Sequence, residues 1–193
     1  MTSRPRYVGL LLPIVLLGCR SEKTLETGRR YLSTSYNDST FETFDRTTRA
    51  VTGVVVAKSG DSVRFRIRTG SHGRVDGVDL TLHPASRRHE PLTVQRVGMP
   101  KGTLPLMGNS VAFLEQLLRR ARDVGGDSLS LSVMQVGANP ERMVLTLVRR
   151  SGDSVLLFGP DLDQRNALHA AVDSAGRILG GVIPLSGTRI VAR

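Results

Sequence analysis

From Val63 to Arg68 the chain alternates without a break: Val63, Phe65 and Ile67 are apolar, and Arg64, Arg66 and Arg68 between them are charged. A period of two places the apolar residues on one side of an extended strand and the arginines on the other; a helix would scatter them around its circumference. Ser128 to Val136 repeats the pattern, with Leu129, Leu131 and Val133 set against Ser128, Ser130 and Ser132. A chain patterned this way is committed to an antiparallel sheet with one dry face and one wet face.

The segments between these runs are rich in turn formers. Ser59-Gly60-Asp61-Ser62 separates the β-branched run Val51 to Ala57 from the Val63 strand, which predicts a hairpin. Ser151-Gly152-Asp153-Ser154 does the same between Met143 to Arg149 and Val155 to Phe158. The pentapeptide SGDSV thus occurs twice. Similarity fades just outside it, which favours one good hairpin connection chosen twice over an internal duplication. Further strands are predicted over Val78 to Leu82, Leu92 to Val97, Ala167 to Val172, Arg177 to Ile183 and Thr188 to Val191. Met99 to Asn109 shows no period and reads as a loop.

One segment departs from this pattern. Phe113, Leu114, Leu117, Leu118 and Ala121 recur at three- and four-residue spacing, the single apolar stripe of a helix over 110–122. Asn109 or Ser110 is placed to cap its start. Arg119, Arg120 and Arg122 fall in its last turn, where the helix dipole favours cations, and Gly125-Gly126 ends it. The expected fold is therefore mainly β with one amphipathic helix (α+β), as a curved antiparallel sheet or half-barrel packed on helix 110–122.

The N-terminus carries a different signal. Arg4 and Arg6 precede an apolar run from Tyr7 to Leu17, followed by Gly18 and Cys19. A spanning helix needs about 20 apolar residues, so this shorter run suits the hydrophobic region of a secretory signal. Leu16-Leu17-Gly18-Cys19 resembles the lipobox of bacterial lipoproteins. The resemblance implies that Cys19 receives a diacylglyceryl group, that cleavage makes it the first residue, and that N-acylation follows. Cys19 is the only cysteine in the sequence; lipidation would account for an exported chain with one unpaired thiol and no possible internal disulfide. Several acyl chains give stable anchoring where one does not. Arg20, rather than aspartate, follows the cysteine; in cells with two membranes this points to the outer membrane, facing the periplasm.

Residues 20 to 45 are dense in Ser and Thr and lack a clear period, so they read as a polar tether, with at most a helical turn near Leu25 to Leu32. The expected organisation is a signal peptide over 1–18, lipid anchor and tether over 19–45, and one β-rich domain over 46–193. Net charge is +10, yet only three of 27 basic residues are lysine (Lys23, Lys58, Lys101). The arginines are dispersed and no aromatic residues interleave with them as stacking platforms, which excludes a typical nucleic-acid surface. An anionic envelope surface, such as lipid head groups or acidic glycans, is the more natural partner.

Motifs that carry chemistry are missing. There is no G-x-S-x-G elbow, phosphate loop or H-E-x-x-H in the sequence. The histidines are His72, His83, His89 and His169. His83 and His89, beside Glu90, do not have metal-ligand spacing, and His169 falls within a predicted strand. Asp161 and Asp163 lack the further ligands of a calcium loop. The pairs Ser59/Asp61 and Ser151/Asp153 lack a histidine partner. No catalytic residue, metal site or cofactor is therefore expected, and Cys19 is the one functional residue assigned.

The order of anchor, strands, one helix and more strands resembles that of the periplasmic Lol-type half-barrel proteins, carried by the helix NSVAFLEQLLRRAR and the strands after it up to Gly181. The resemblance is one of layout. It implies a curved sheet around a helix, enclosing an apolar cavity. The expected function is that of a non-enzymatic, membrane-anchored envelope lipoprotein binding an apolar ligand or a partner protein. Phe113, Leu117 and Ala121, with Val63, Phe65 and Ile67, would line the core or the cavity. Two alternatives stand beside it. One is an envelope hydrolase using His83, His89, Asp161 and Asp163; the other is a structural spacer.

Overall fold

A computed structural model describes residues 22–70, 74–87, 91, 93–108, 110–137 and 139–193. Thirteen strands form one open curved sheet. In chain order they are β1 (Thr24–Thr34), β2 (Ser39–Thr47), β3 (Ala50–Ala57), β4 (Ser62–Thr69), β5 (Val75–His83), β6 (Thr93–Gly98), β7 (Leu104–Leu106), β8 (Ser128–Gln135), β9 (Glu141–Arg149), β10 (Ser154–Phe158), β11 (Leu168–Val172), β12 (Ile178–Ile183) and β13 (Thr188–Ala192). The helix α1 (Val111–Val124) lies between β7 and β8 in sequence. The strand order is β6-β5-β4-β3-β2-β1-β13-β12-β11-β10-β9-β8-β7. The chain thus runs outward from the middle of the sheet to one edge, passes to the other edge in the short link between β6 and β7, and returns inward after α1, which joins β7 to its neighbour β8. Every pairing is antiparallel except β7 with β8, which the helical crossover makes parallel.

The fold class is mainly β with one helix, as the alternating runs predict. Two segments differ from the sequence reading. Residues 24–34 and 39–47, expected as a tether, form β1 and β2 in the middle of the sheet, with Tyr31 opposite Glu42 and Leu32 opposite Phe41. Their buried side chains include Tyr31, Ser33, Glu42, Phe44 and Arg46, while Phe41 is exposed. Polar Ser33, Glu42 and Arg46 face inward beside Tyr31 and Phe44 while Phe41 faces out, so no hydropathy alternation is visible. The loop expected over Met99 to Asn109 contains the short strand β7, too brief to show a period.

The core lies between the sheet and the apolar stripe of α1. Phe113 packs edge-on against Phe65 with ring centroids 5.2 Å apart. Val111, Ala112, Leu114, Leu117, Leu118 and Ala121 join Ile67, Val78, Leu131, Val133, Leu147 and Ile178 in one cluster. A smaller cluster of Leu156, Phe158 and Ala167 lies on the opposite face of β10 from Leu157, which belongs to the main core. The two SGDS turns cap opposite ends of the sheet. Each places its glycine at positive φ, 89° at Gly60 and 70° at Gly152, where a residue with a Cβ would be strained.

Candidate functional site

The N-terminal end of α1 opens into an apolar cleft. Ser110 precedes the helix with its backbone extended, but its side chain does not cap the first turn. The cap comes from across the sheet. Glu42 Oε2 accepts from the Val111 N–H at 2.6 Å, and Oε1 accepts from the Ala112 N–H at 3.1 Å and the Ser110 hydroxyl at 2.7 Å. A carboxylate here answers the unpaired N–H groups of the first turn and the positive end of the helix dipole. Burial nevertheless dominates and pushes the Glu42 pKa up to about 7, against the lowering by these three donors; the charge of Glu115 adds a further upward push.

The cleft beside Ser110 has a volume of about 290 Å³ and is bordered by Ser33, Ser39, Thr40, Val55, Val63 and Met107 among others. A second hollow of about 260 Å³ adjoins it through Val63 and Met107, and its further walls include Leu80, Leu82 and Gln95. Side by side, the two make a trough with apolar walls and a polar rim at the helix start. This is the general makeup of a site for a largely apolar ligand. Of the residues expected to line a core or cavity, Phe65, Ile67, Phe113, Leu117 and Ala121 are buried in solid core, and Val63 borders the trough.

Glu115 occupies the middle of the buried face of α1 and is 0% exposed. Its Oε1 accepts from the Ile178 N–H at 3.0 Å, and the Tyr31 hydroxyl lies 2.9 Å away. Arg46 reaches Oε2 at 3.4 Å, Arg29 reaches Oε1 at 3.5 Å, and Arg119 lies 3.9 Å from Oε2. Glu26 completes the group, 2.6 Å from Arg119 and 3.6 Å from Arg46. Burial raises the Glu115 pKa, opposed by the Tyr31 hydroxyl, the Ile178 N–H and the guanidinium groups of Arg46 and Arg29. Burial also raises that of Tyr31, and the neighbouring charge of Glu115 adds to it. Arg46 is pushed down, first by burial and then by the nearby Arg119. The group holds β1, β2 and β12 to the helix. Sequence reading missed it, although one signal was present: Glu115 falls on the apolar stripe, between Val111 and Leu118.

The other candidates separate. Cys19, His72 and His89 lie outside the described residues. His83 ends β5 near one edge of the sheet, and Asp161 and Asp163 follow β10, eight strand positions along. Asp163 pairs with Arg165 at 2.9 Å, and Asp161 accepts from the Asn166 side chain at 3.2 Å. Both therefore shape the loop that leads from Phe158 to Ala167. His169 Nε2 lies 2.9 Å from the Gln164 carbonyl. Ser59 donates to Asp61, which also accepts from the Ala85 N–H at 2.8 Å. Among the described residues, no group of three or more His, Cys, Asp or Glu side chains is placed to hold a metal ion. No helix among them is long and apolar enough to cross a membrane.

No family model and no curated protein matches the sequence. A crystal structure of a DUF1089 family protein from Pseudomonas aeruginosa is similar in fold, with a TM-score of 0.53 at 12% identity, over 92% of this chain and 95% of that one. A likeness at that identity is a likeness of fold.

Proposed function

We propose that the protein is a non-enzymatic, lipid-anchored envelope lipoprotein whose domain takes an apolar ligand in the trough at the start of α1. In this reading the curved sheet is a half-barrel around the helix, and the anchor is the lipid on Cys19. The observation that carries it is the trough itself: apolar walls from Val55, Val63, Leu80, Leu82 and Met107, next to a polar rim from Ser39, Thr40 and Ser110. An acyl chain would lie along those walls, and a polar head would meet the hydroxyl groups. Export and lipid attachment at Cys19 are what the lipobox resemblance implies.

The test is mass spectrometry of lipids that co-purify with the protein made without residues 1–19, beside its Val63→Glu variant. A lipid species enriched in the parent and lost in the variant is expected. A parent that retains no lipid, and does not take up a fluorescent fatty acid offered to it, would sink the reading. Radiolabelled palmitate tests the anchor separately, since incorporation should vanish in Cys19→Ser.

A further inference from the structure

The two ends of the sheet differ in charge. One end carries the start of α1 and the trough, together with the β3–β4 turn at Ser59. The other carries the end of α1, the β2–β3 and β9–β10 turns, and the point where the described chain begins at Glu22. That this is one and the same end follows from the register: Thr24 pairs with Thr47, next to the β2–β3 turn, and Glu26 holds Arg119 near the end of α1. Here Lys23, Lys101, Arg120, Arg150 and Arg193 are exposed. Arg74 is matched by Asp76, Arg122 by Asp123 and Arg177 by Asp173, which leaves Asp127 and Asp153 with Glu22 as further acids against those five cations. At the trough end, Lys58, Arg87, Arg142, Arg165 and Arg189 are balanced by Asp38, Asp61, Glu141, Asp161 and Asp163.

We infer that the end of the domain nearest Glu22 is a docking surface for anionic lipid head groups, and that the trough opens at the opposite end, away from the bilayer. The inference rests on the proposed lipid attachment at Cys19. Glu22 lies three residue steps beyond Cys19, so a fully extended backbone spans at most about 11 Å between them. The expected long tether is absent, because β1 begins at Thr24. A domain held that closely keeps Glu22 within about 11 Å of the lipid surface, comparable with the Debye length of about 8 Å at physiological ionic strength. Each Lys or Arg so placed contributes on the order of 1 kcal/mol toward an anionic bilayer. The 14 residues of α1 separate the two ends by about 21 Å.

The repeated turn supplies matched reporters. Ser59→Cys and Ser151→Cys each introduce one thiol, within the same SGDS context, at opposite ends of the sheet; Cys19 itself is blocked by its lipid. The full lipidated chain, labelled with a fluorophore at either site, is placed in phosphatidylglycerol and phosphatidylethanolamine vesicles carrying a head-group quencher. Quenching at Ser151→Cys is expected to exceed that at Ser59→Cys several-fold, and to fall toward equality when Lys101→Glu and Arg150→Glu are added. Equal or reversed quenching in a chain that floats with the vesicles would overturn the orientation and leave the anchor standing. A difference unchanged by the two charge reversals would overturn the role of the cations. Failure to float with the vesicles would remove the anchor, and the inference with it.

Discussion

The Tyr31 hydroxyl on β1 lies 2.9 Å from Oε1 of Glu115 on α1, and 2.8 Å from the Ile178 carbonyl on β12. One side chain thus joins a strand of the chain's first half, the helix and a strand of its second half. Tyr31 also stacks on Phe44, with ring centroids 5.8 Å apart and planes 6° from parallel. The hydroxyl has one proton, which these two acceptors share, and its oxygen in turn accepts from the guanidinium of Arg29.

Removing the carboxylate should be severe. Glu115→Ala takes one of two carboxylates from the Arg46 guanidinium, whose side chain is 6% exposed, and leaves Arg46 and Arg119 sharing Glu26. A loss of about 3–5 kcal/mol is expected from breaking a buried pair on one side. Tyr31→Phe removes one hydroxyl and keeps the ring stack, so about 1–2 kcal/mol is expected. Chemical denaturation of both variants checks the order; an equal loss in the two would contradict it.

Glu42 should make the domain's stability depend on pH in an unusual direction. Its folded pKa of about 7 lies above the ordinary value of 4.5. The folded state therefore binds the proton more tightly, and the group's contribution is fully present below about pH 4.5. It declines as pH rises from about 4.5 to 7, by up to roughly 3 kcal/mol. Asp61, Asp163 and Asp173 are shifted downward and act in the opposite sense, so the measurement is a difference. Melting temperature against pH for the parent and Glu42→Gln should diverge in the variant's favour across that window. A gap that does not change with pH would contradict the shift.

Gly53 is a packing position. A Cβ there would meet the Thr43 carbonyl oxygen at 2.5 Å and Phe65 Cζ at 2.6 Å. Phe65, directly opposite in the β3–β4 register, fills the space that the missing side chain leaves. Gly53→Ala should destabilise by about 1–3 kcal/mol through overpacking. Gly98, on the edge strand β6, has open space around its Cβ position, so Gly98→Ala should stay within about 0.5 kcal/mol of the parent. Thermal melts of the two variants check the contrast.

Filling the trough should separate binding from folding. Val63 is half-buried and borders both hollows, so Val63→Trp is expected to lower uptake of a fluorescent fatty acid by tenfold or more while changing stability by only about 1 kcal/mol. Unchanged uptake would place the ligand elsewhere.

Period-two runs, SGDS turns and the stripe from Phe113 to Ala121 were enough to read most of β3 to β13 and α1 in the sequence. Each is a local signal, in which residue spacing alone sorts polar from apolar faces. The sequence by itself also carries Leu16-Leu17-Gly18-Cys19, which resembles a lipobox. The tertiary structure alone decided the fate of β1 and β2. Their inward residues Arg29, Tyr31, Glu42 and Arg46 look fit for water until α1 supplies Glu115 and the N–H groups of Val111 and Ala112. Those partners lie more than sixty residues away along the chain. A buried polar group is acceptable only where its partner is also present, and such a pairing leaves no period in the sequence to read. The trough has the same origin, because its walls meet only after the sheet has curved back past α1.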